Sequence, residues 1–298
     1  MATRSGMIAI AGRPNAGKST LVNGIVGEKV AIVSDKPQTT RREVRGVLTR
    51  RDTQLVLVDL PGSQRPRDAM TDRMQKRVIS SVADCDGALF MINGEQRSGG
   101  GDHYLAELLT RADVPVITAV NKIDLLDKGR TARALMDAAE FAPGEIFPVS
   151  ARTGAGVPAL VEALIDLLPP GPFLFSPEEA TDLSLEVRIS ELIREQALLR
   201  TRDELPHAIE VRVDEIERVE PAVDSGAITY VRANLWVETE SQKGIVIGKG
   251  GRMIKAIGAA ARPGLEDLLD SHVHLELRAS VRKAWRRDDG LLDRLGIG

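Results

Sequence analysis

The chain has 298 residues, 43% of them apolar, and a formal net charge of −3. This length allows two globular domains, and the small negative charge argues against non-specific polyanion binding by the whole molecule. The single cysteine, Cys85, excludes an intramolecular disulfide. The first strand begins within seven residues and no apolar run is long enough to span a bilayer. We therefore expect a cytoplasmic protein, with a peripheral membrane contact left open.

The most informative motif is the stretch from Gly12 to Ser19, Gly-Arg-Pro-Asn-Ala-Gly-Lys-Ser, which fits G-x-x-x-x-G-K-S. It follows an apolar run at 7–11, predicted as a buried strand, and it leads into 18–26, predicted as a helix. The N–H groups of such a turn can hold a polyphosphate, Lys18 adds charge for the outer phosphates, and the Ser19 hydroxyl can ligate Mg²⁺. The predicted nucleotide-binding residues here are Gly12, Asn15, Ala16, Gly17, Lys18, Ser19 and Thr20.

Two further segments are expected near the outer phosphates. The predicted strand 54–58 ends in Asp59-Leu60-Pro61-Gly62, where Asp59 can hold Mg²⁺ through water and the Gly62 N–H can bond the terminal phosphate. Thr39 and Thr40 lie in the irregular stretch 28–42. A threonine there can reach Mg²⁺ only when the terminal phosphate is present, so this stretch is a candidate switch.

The segment predicted to recognise the base of the nucleotide is Asn121-Lys122-Ile123-Asp124, directly after the predicted strand 116–120. Asp124 can accept two parallel hydrogen bonds from guanine, whereas adenine would leave it unpaired, at a cost of about a hundredfold in affinity. Asn121 is expected to brace the loop and Lys122 to lie along the base plane. Ser150-Ala151 could supply a backbone N–H to the base. For the Asn-Lys-x-Asp motif alone, a solvated turn that caps the next helix is the alternative.

Taken in this order, the five elements of residues 1 to about 170 resemble translation-factor-class GTPases. The P-loop together with Gln38-Thr39-Thr40-Arg41 is similar to the Era and MnmE branch. The resemblance implies Thr40 as the switch-one metal ligand, with Thr39 as the competing candidate. It also implies GTP or GDP, Mg²⁺ and a K⁺ ion beside Asn15, for which a turn-stabilising role is the alternative. The expected catalytic residues are Lys18, Asn15, Thr40 and Gly62, and the expected magnesium ligands are Ser19, Thr40 and Asp59.

The chain divides at Pro169-Pro170-Gly171-Pro172, which can continue neither helix nor strand. Before it, strands alternate with helical patterns, which is typical of a doubly wound α/β sheet, and segments 44–49 and 54–59 are close enough to form a hairpin. The glycines at 99–101 are predicted as a flexible loop. We expect a P-loop domain at 1–168, a proline-rich linker at 169–175 and a smaller α+β domain at 176–298.

The second domain centres on a Gly-x-x-Gly turn, residues 248–251, between two helical patterns. Helix is predicted at 189–197, antiparallel strands at 208–217 and 228–238, helix to 261, a second short helix, and a strand at 272–277. The turn lies in a window without acidic residues, 241–265. Its glycines would let a sugar–phosphate backbone approach while basic side chains supply charge. The predicted RNA-binding residues are Gly248, Lys249, Gly250, Gly251, Arg252 and Lys255.

The segments 190–195, 204–206, 246–257 and 273–277, with Trp285, are similar to the Era family, so the resemblance covers nearly the whole chain. That family joins a doubly wound P-loop GTPase domain to a type II KH domain. The resemblance implies a slow GTPase that acts as a molecular switch. It implies binding to the 3′ end of small-subunit ribosomal RNA, assistance to small ribosomal subunit assembly, and a monomeric state.

Two other functions are alternatives. A MnmE-like tRNA-modifying GTPase would carry a reactive cysteine near its C-terminus, and this chain has only Cys85. A passive, non-hydrolysing RNA-binding clamp is kept open because Ser63 stands where many small GTPases carry a water-orienting glutamine, and Gln64 is one position late. Single-turnover GTP hydrolysis separates the clamp from the switch.

Overall fold

The computed structural model describes residues 3–36, 38–62, 69–219 and 227–297. The chain forms two compact units. The first comprises Met1–Val33, Thr40–Asp182 and Leu292–Gly298, and the second comprises Ser34–Thr39 and Leu183–Leu291. Ser63 and Gln64, named in the sequence analysis, lie outside the described residues.

The first unit is a six-stranded sheet with helices between its strands, in the order β2-β3-β1-β4-β5-β6. Its neighbouring strands are parallel except β2 and β3, which are antiparallel and confirm the predicted hairpin. The elements are β1 (Arg4–Gly12), α1 (Lys18–Val26), β2 (Val44–Thr49), β3 (Thr53–Asp59), α2 (Ala69–Ala83), β4 (Gly87–Asn93), α3 (Gly100–Arg111), β5 (Val116–Asn121), α4 (Lys128–Ala139), β6 (Glu145–Pro148) and α5 (Val157–Asp166).

Strands β1, β3 and β4 are buried along almost their whole length, as expected for parallel strands covered by helices on both faces. Because these strands are parallel, the P-loop after β1, Asp59 at the end of β3 and Asn121 at the end of β5 lie at the same edge of the sheet. Ligands of open α/β sheets bind at this carboxyl edge.

Helix α3 begins earlier than expected. The glycines at 99–101 were predicted as a flexible loop, which is wrong for Gly100 and Gly101, the first residues of the helix. The Asp102 carboxylate accepts a hydrogen bond from the Gly99 N–H at 2.9 Å and pairs with Arg13 at the same distance. A carboxylate in the first turn satisfies a terminal N–H and complements the helix dipole, which offsets the low helix propensity of glycine.

The segment predicted as a linker, 169–175, is hydrogen-bonded to the first unit. Pro169 O accepts from Ser5 N at 3.2 Å, and the Gly171 N–H donates to Thr3 O at 2.9 Å. The Gln54 side chain accepts from Leu174 N and Phe175 N at 2.7 and 2.9 Å. Proline removes only a donor, so a proline-rich segment can still pair through its carbonyl groups at an edge.

The second unit has the order helix, strand, strand, helix, helix, strand, with a one-turn helix inserted. Its sheet, β7-β8-β9, pairs β7 with β8 antiparallel and β8 with β9 parallel. The elements are α6 (Leu185–Arg200), α7 (Leu205–Ala208), β7 (Glu210–Val219), β8 (Ile228–Val237), α8 (Glu240–Ile247), α9 (Arg252–Leu269), β9 (His272–Val281) and, after the sheet, α10 (Asp289–Arg294).

One expectation fails in this unit. A break after Ala261 was predicted, whereas α9 runs through Pro263 as a single helix. Proline in a helix interior costs about 3 kcal/mol. The helix nevertheless continues, since Ile257, Ala261 and Leu265 all face a core shared with the sheet and α6. Burial of this face offsets the lost backbone bond.

Candidate functional site

The loop between β1 and α1 has the backbone that a phosphate cradle needs. Gly17 has φ 97°, and a Cβ there would lie 2.2 Å from Asn121 Nδ2. At Gly12 a Cβ would lie 2.6 Å from Met91 O. Asn15 also has positive φ, at 63°. Only glycine meets both the steric and the conformational demand at position 17.

Lys18 is almost completely buried at the start of α1. Its Nζ donates to Gly12 O at 3.0 Å and to Arg13 O at 3.3 Å, so the ammonium lies over the loop. Burial lowers the pKa of Lys18, and the negative charge of Asp59 opposes this effect. Ala16 lies buried within the loop, and Thr20 follows Ser19 in the first turn of α1.

Three oxygen-bearing side chains converge beside Lys18, and we call them the Asp59 cluster: Asp59, Ser19 and Thr40. The Ser19 hydroxyl donates to Asp59 Oδ2 at 2.6 Å, and Ser19 Oγ lies 3.1 Å from Thr40 Oγ1. Asp59 is fully buried, and its Oδ1 has no hydrogen-bond partner among the described residues. Burial raises the pKa of Asp59, against the Lys18 charge and the hydroxyls of Ser19 and Thr40. A carboxylate with an unused oxygen beside two hydroxyls fits a hard cation such as Mg²⁺.

The structure separates the two candidate threonines. Thr40 belongs to the Asp59 cluster, whereas the Thr39 hydroxyl donates to Lys36 O at 2.6 Å. Gly62 lies against the P-loop, where a Cβ would be 3.0 Å from Pro14 Cα. Of the two threonines, Thr40 is therefore the one whose hydroxyl lies beside Ser19 and Asp59.

Asn121 joins two loops at the edge of the sheet. Its Nδ2 donates to Ala16 O at 2.8 Å, and its Oδ1 accepts from Ala151 N at 2.9 Å. The Ser150 N–H donates to Ala155 O at 2.8 Å. The sequence predicted that the Ser150-Ala151 pair could supply a backbone N–H to the base. Both N–H groups of this pair have partners within the protein, so either would have to share or exchange its hydrogen bond to contact the base.

Asp124 is held from both sides. Its Oδ1 accepts from Ser150 Oγ at 2.7 Å, and its Oδ2 pairs with Arg152 Nη2 at 2.6 Å. The Ser150 hydrogen bond, followed by the contact with Arg152, lowers the pKa of Asp124, so the carboxylate stays ionised. Lys122 Nζ lies 3.6 Å from Glu95 Oε2. Arg152 and Glu95 were missed by the sequence analysis, because neither belongs to a recognised motif and both contacts join distant parts of the chain.

The Gly-x-x-Gly turn between α8 and α9 is a second candidate site. Gly248, Gly250 and Gly251 have φ of 71°, 63° and 74°. Three predicted basic residues, Lys249, Arg252 and Lys255, are exposed and form no salt bridge within the described part of the chain. Their charges are therefore available to an external anion. Among the described residues, no helix has the length and apolar character needed to cross a membrane.

The first unit combines a nucleotide-binding sheet with an Asn-Lys-x-Asp loop of the kind that recognises guanine. The second unit carries a Gly-x-x-Gly turn between two helices. Together these features define a P-loop GTPase with an RNA-binding module. Comparisons with known proteins agree. Residues 7–122 match the family model "50S ribosome-binding GTPase", and residues 204–286 match the KH domain.

The particular family follows from full-length relatives. GTPase Era of Mycolicibacterium paratuberculosis is 45% identical over 99% of each chain, and that of Carboxydothermus hydrogenoformans is 41% identical over 100% of this chain and 99% of its own. A solved variant of Aquifex aeolicus Era bound to GDP·AlF4⁻ is 34% identical, with a TM-score of 0.92 over 99% of each chain. Era in complex with MgGDPNP and nucleotides 1506–1542 of 16S ribosomal RNA gives the same values. The chain belongs to the Era family of GTPases, and the predicted family and fold class are confirmed.

Proposed function

We propose that this protein is a GTP-hydrolysing switch that binds the 3′ end of small-subunit ribosomal RNA and assists assembly of the small ribosomal subunit. The observation that carries the proposal is the likeness, over 99% of the chain, to Era in complex with MgGDPNP and nucleotides 1506–1542 of 16S ribosomal RNA. That complex contains both a guanine nucleotide and an RNA, and this chain has a P-loop and a Gly-x-x-Gly turn that can serve the two ligands. We propose that it acts as a monomer.

In the nucleotide site, the P-loop N–H groups and Lys18 hold the phosphates, and Asp124 reads guanine. Ser19 and Thr40 would ligate Mg²⁺, with Asp59 holding it through water. When bound, Mg²⁺ neutralises charge that develops on the outer phosphates. The unused, buried Oδ1 of Asp59 supports this assignment.

The proposal includes a monovalent cation bound beside Asn15. Asn15 has a side-chain oxygen in the loop that surrounds the outer phosphates, and its backbone is held at φ 63°. A K⁺ ion held there would offset charge developing between those phosphates. The proposal predicts faster hydrolysis in K⁺ than in Na⁺ at equal ionic strength, and equal rates would contradict it.

In the RNA site, Gly248, Gly250 and Gly251 let the sugar–phosphate backbone approach, while Lys249, Arg252 and Lys255 supply positive charge. Exposure of these three side chains and their lack of salt bridges within the described residues support the assignment. Single-stranded RNA is the expected ligand, because a Gly-x-x-Gly turn clamps the backbone of unpaired nucleotides.

The experiment is single-turnover GTP hydrolysis by the full chain, with and without small ribosomal subunits and with an oligonucleotide of the 3′ end of their RNA. Hydrolysis by the wild type, lost in Lys18→Ala, supports the switch. Binding of GTP and RNA without any hydrolysis, with or without subunits, would instead establish the passive clamp.

A further inference from the structure

A fully buried arginine in α6 is the starting point. Arg194 has no exposed side-chain surface, and it pairs in a fork with Glu191, one turn earlier. Nε donates to Glu191 Oε1 at 3.1 Å and Nη2 to Glu191 Oε2 at 2.6 Å. Burying a guanidinium costs free energy unless it is paired and hydrogen-bonded. The partners of Arg194 therefore show which groups stabilise its charge.

The same guanidinium makes one contact far away in the sequence. Arg194 Nη2 also donates to the backbone carbonyl of Thr39. Both residues belong to the second unit, which includes Ser34–Thr39 as a separate stretch of chain. A second tether lies beside it, where Gln38 Oε1 is 3.3 Å from His207 Nδ1 in α7. Helices α6 and α7 of the second unit thus both contact the end of the segment Ser34–Thr39.

The held carbonyl determines the position of the next residue. The Thr39 C=O and the Thr40 N and Cα lie in one peptide plane, and consecutive Cα atoms are about 3.8 Å apart. Orienting the Thr39 oxygen therefore orients the Cα of Thr40. Thr40 is the residue whose hydroxyl joins the Asp59 cluster, 3.1 Å from Ser19 Oγ.

We infer that Arg194, in the first helix of the second unit, is a positioning residue for GTP hydrolysis: through the Thr39 carbonyl it places the Thr40 hydroxyl for Mg²⁺. The inference rests on the proposed function. It assigns to α6 a role in the chemistry of the nucleotide site, although Arg194 contacts neither nucleotide nor metal. Nη1 of Arg194 is buried without a hydrogen-bond partner among the described residues, so the Thr39 carbonyl is an important part of what stabilises this charge.

The test compares Arg194→Gln and Arg194→Lys with Arg200→Gln in the full chain. Arg200 lies on the same helix and bonds Gln196 within it. We measure single-turnover GTP hydrolysis across a Mg²⁺ series, GDP affinity in chelator, and affinity for a 3′-end RNA oligonucleotide. Arg194→Gln should raise the half-saturating Mg²⁺ concentration about tenfold, because one charge-assisted hydrogen bond is lost. GDP affinity, and RNA affinity in the GDP-bound state, should not change. Arg194→Lys should be intermediate, and Arg200→Gln should match the wild type.

A double-mutant comparison keeps the test valid if Arg194→Gln folds poorly. If Arg194 acts through Thr40, Arg194→Lys should have no further effect on Mg²⁺ dependence in a Thr40→Ala background. Additive effects, or an unchanged Mg²⁺ series in Arg194→Gln, would overturn the inference while leaving the proposed function intact. Failure of the wild type to hydrolyse GTP would instead overturn the proposed function.

Discussion

In the loop proposed to recognise the base, the position of Asp124 depends on two neighbours. Ser150 Oγ donates to one carboxylate oxygen and Arg152 to the other. An ionised carboxylate fixed in this way can accept from guanine without reorganising, which is the condition for strong discrimination against a base that lacks the donors.

We predict that Asp124→Asn weakens GTP binding at least about a hundredfold and improves binding of xanthosine triphosphate. The amide offers a donor to the 2-oxo group of xanthine, where guanine has an amino group. Titration with fluorescent nucleotides measures both. Asp127→Asn is the matched control, since Asp127 caps α4 at Arg130 N. Equal wild-type affinities for ATP and GTP would show that Asp124 does not read the base.

The lowered pKa of Asp124 predicts a pH-dependent contribution to stability. A carboxyl whose pKa falls on folding contributes stability above its unfolded value, about 3.9, and that contribution is lost as pH falls through the folded pKa. Ser150→Ala removes the largest cause of the shift. It should therefore cost more unfolding free energy at pH 7 than near pH 3, by at most about 1 kcal/mol.

Urea unfolding followed by circular dichroism, from pH 3 to 7, measures this difference. Thr153 N also donates to Ser150 Oγ, so a pH-independent loss is expected as well. In an Asp124→Asn background the pH-dependent part of the Ser150→Ala effect should vanish. A cost that does not vary with pH would exclude the Ser150 hydrogen bond as the cause of the shift.

Elements with strong local patterns could be predicted from the sequence. Helix α1 has the predicted bounds, and the β2–β3 hairpin was predicted correctly. The two antiparallel strands of the second unit lie within two residues of their predicted bounds, although Ala208, predicted to begin the first of them, ends helix α7. The failures have a common physical origin: the start of α3 depends on Asp102, and the continuity of α9 on its packing. The link between Arg194 and Thr39 joins residues 155 apart, so no local pattern could reveal it.

The Gly-x-x-Gly turn offers a test within one element. Gly248 has φ 71° and ψ 167°, a region open essentially to glycine, and a Cβ there would lie 2.8 Å from Met253 Cβ. Gly250 has φ 63°, with nothing within 4 Å of an added Cβ. Gly248→Ala should therefore cost about 2–3 kcal/mol and Gly250→Ala about 1 kcal/mol in stability of this unit.

Tryptophan fluorescence during urea unfolding measures the stability of the second unit selectively. The two tryptophans, Trp236 and Trp285, both belong to the second unit, and both are buried. Equal costs for the two substitutions would mean that the turn relaxes around the added methyl group at position 248.

Across the whole molecule, a net charge of −3 conceals a local excess of positive charge at the turn. We predict that Lys249→Glu with Arg252→Glu lowers RNA affinity about tenfold or more and leaves GTP affinity unchanged. Removing two cations should make the slope of log affinity against log salt shallower by about 1.4, since each phosphate contact on a single strand contributes about 0.7. The matched control is Arg130→Glu with Arg133→Glu, two exposed arginines of α4. Similar losses in both double variants would indicate non-specific attraction instead of a site at the turn.

The last prediction concerns the coupling of the two ligands. Thr39 belongs to the second unit and Thr40 to the first, so one peptide bond joins the tether on Arg194 to the Asp59 cluster. If the GTP-bound state orders Thr40, RNA affinity should differ between the complex with a non-hydrolysable GTP analogue and the complex with GDP. We call the ratio of these two RNA affinities α. Linkage then requires RNA to change the ratio of the two nucleotide affinities by the same α. Titrations in both directions measure α independently, and Arg194→Gln should bring it toward 1. Identical RNA affinities in the two nucleotide states would leave a GTPase and an RNA-binding domain on one chain without a switch between them.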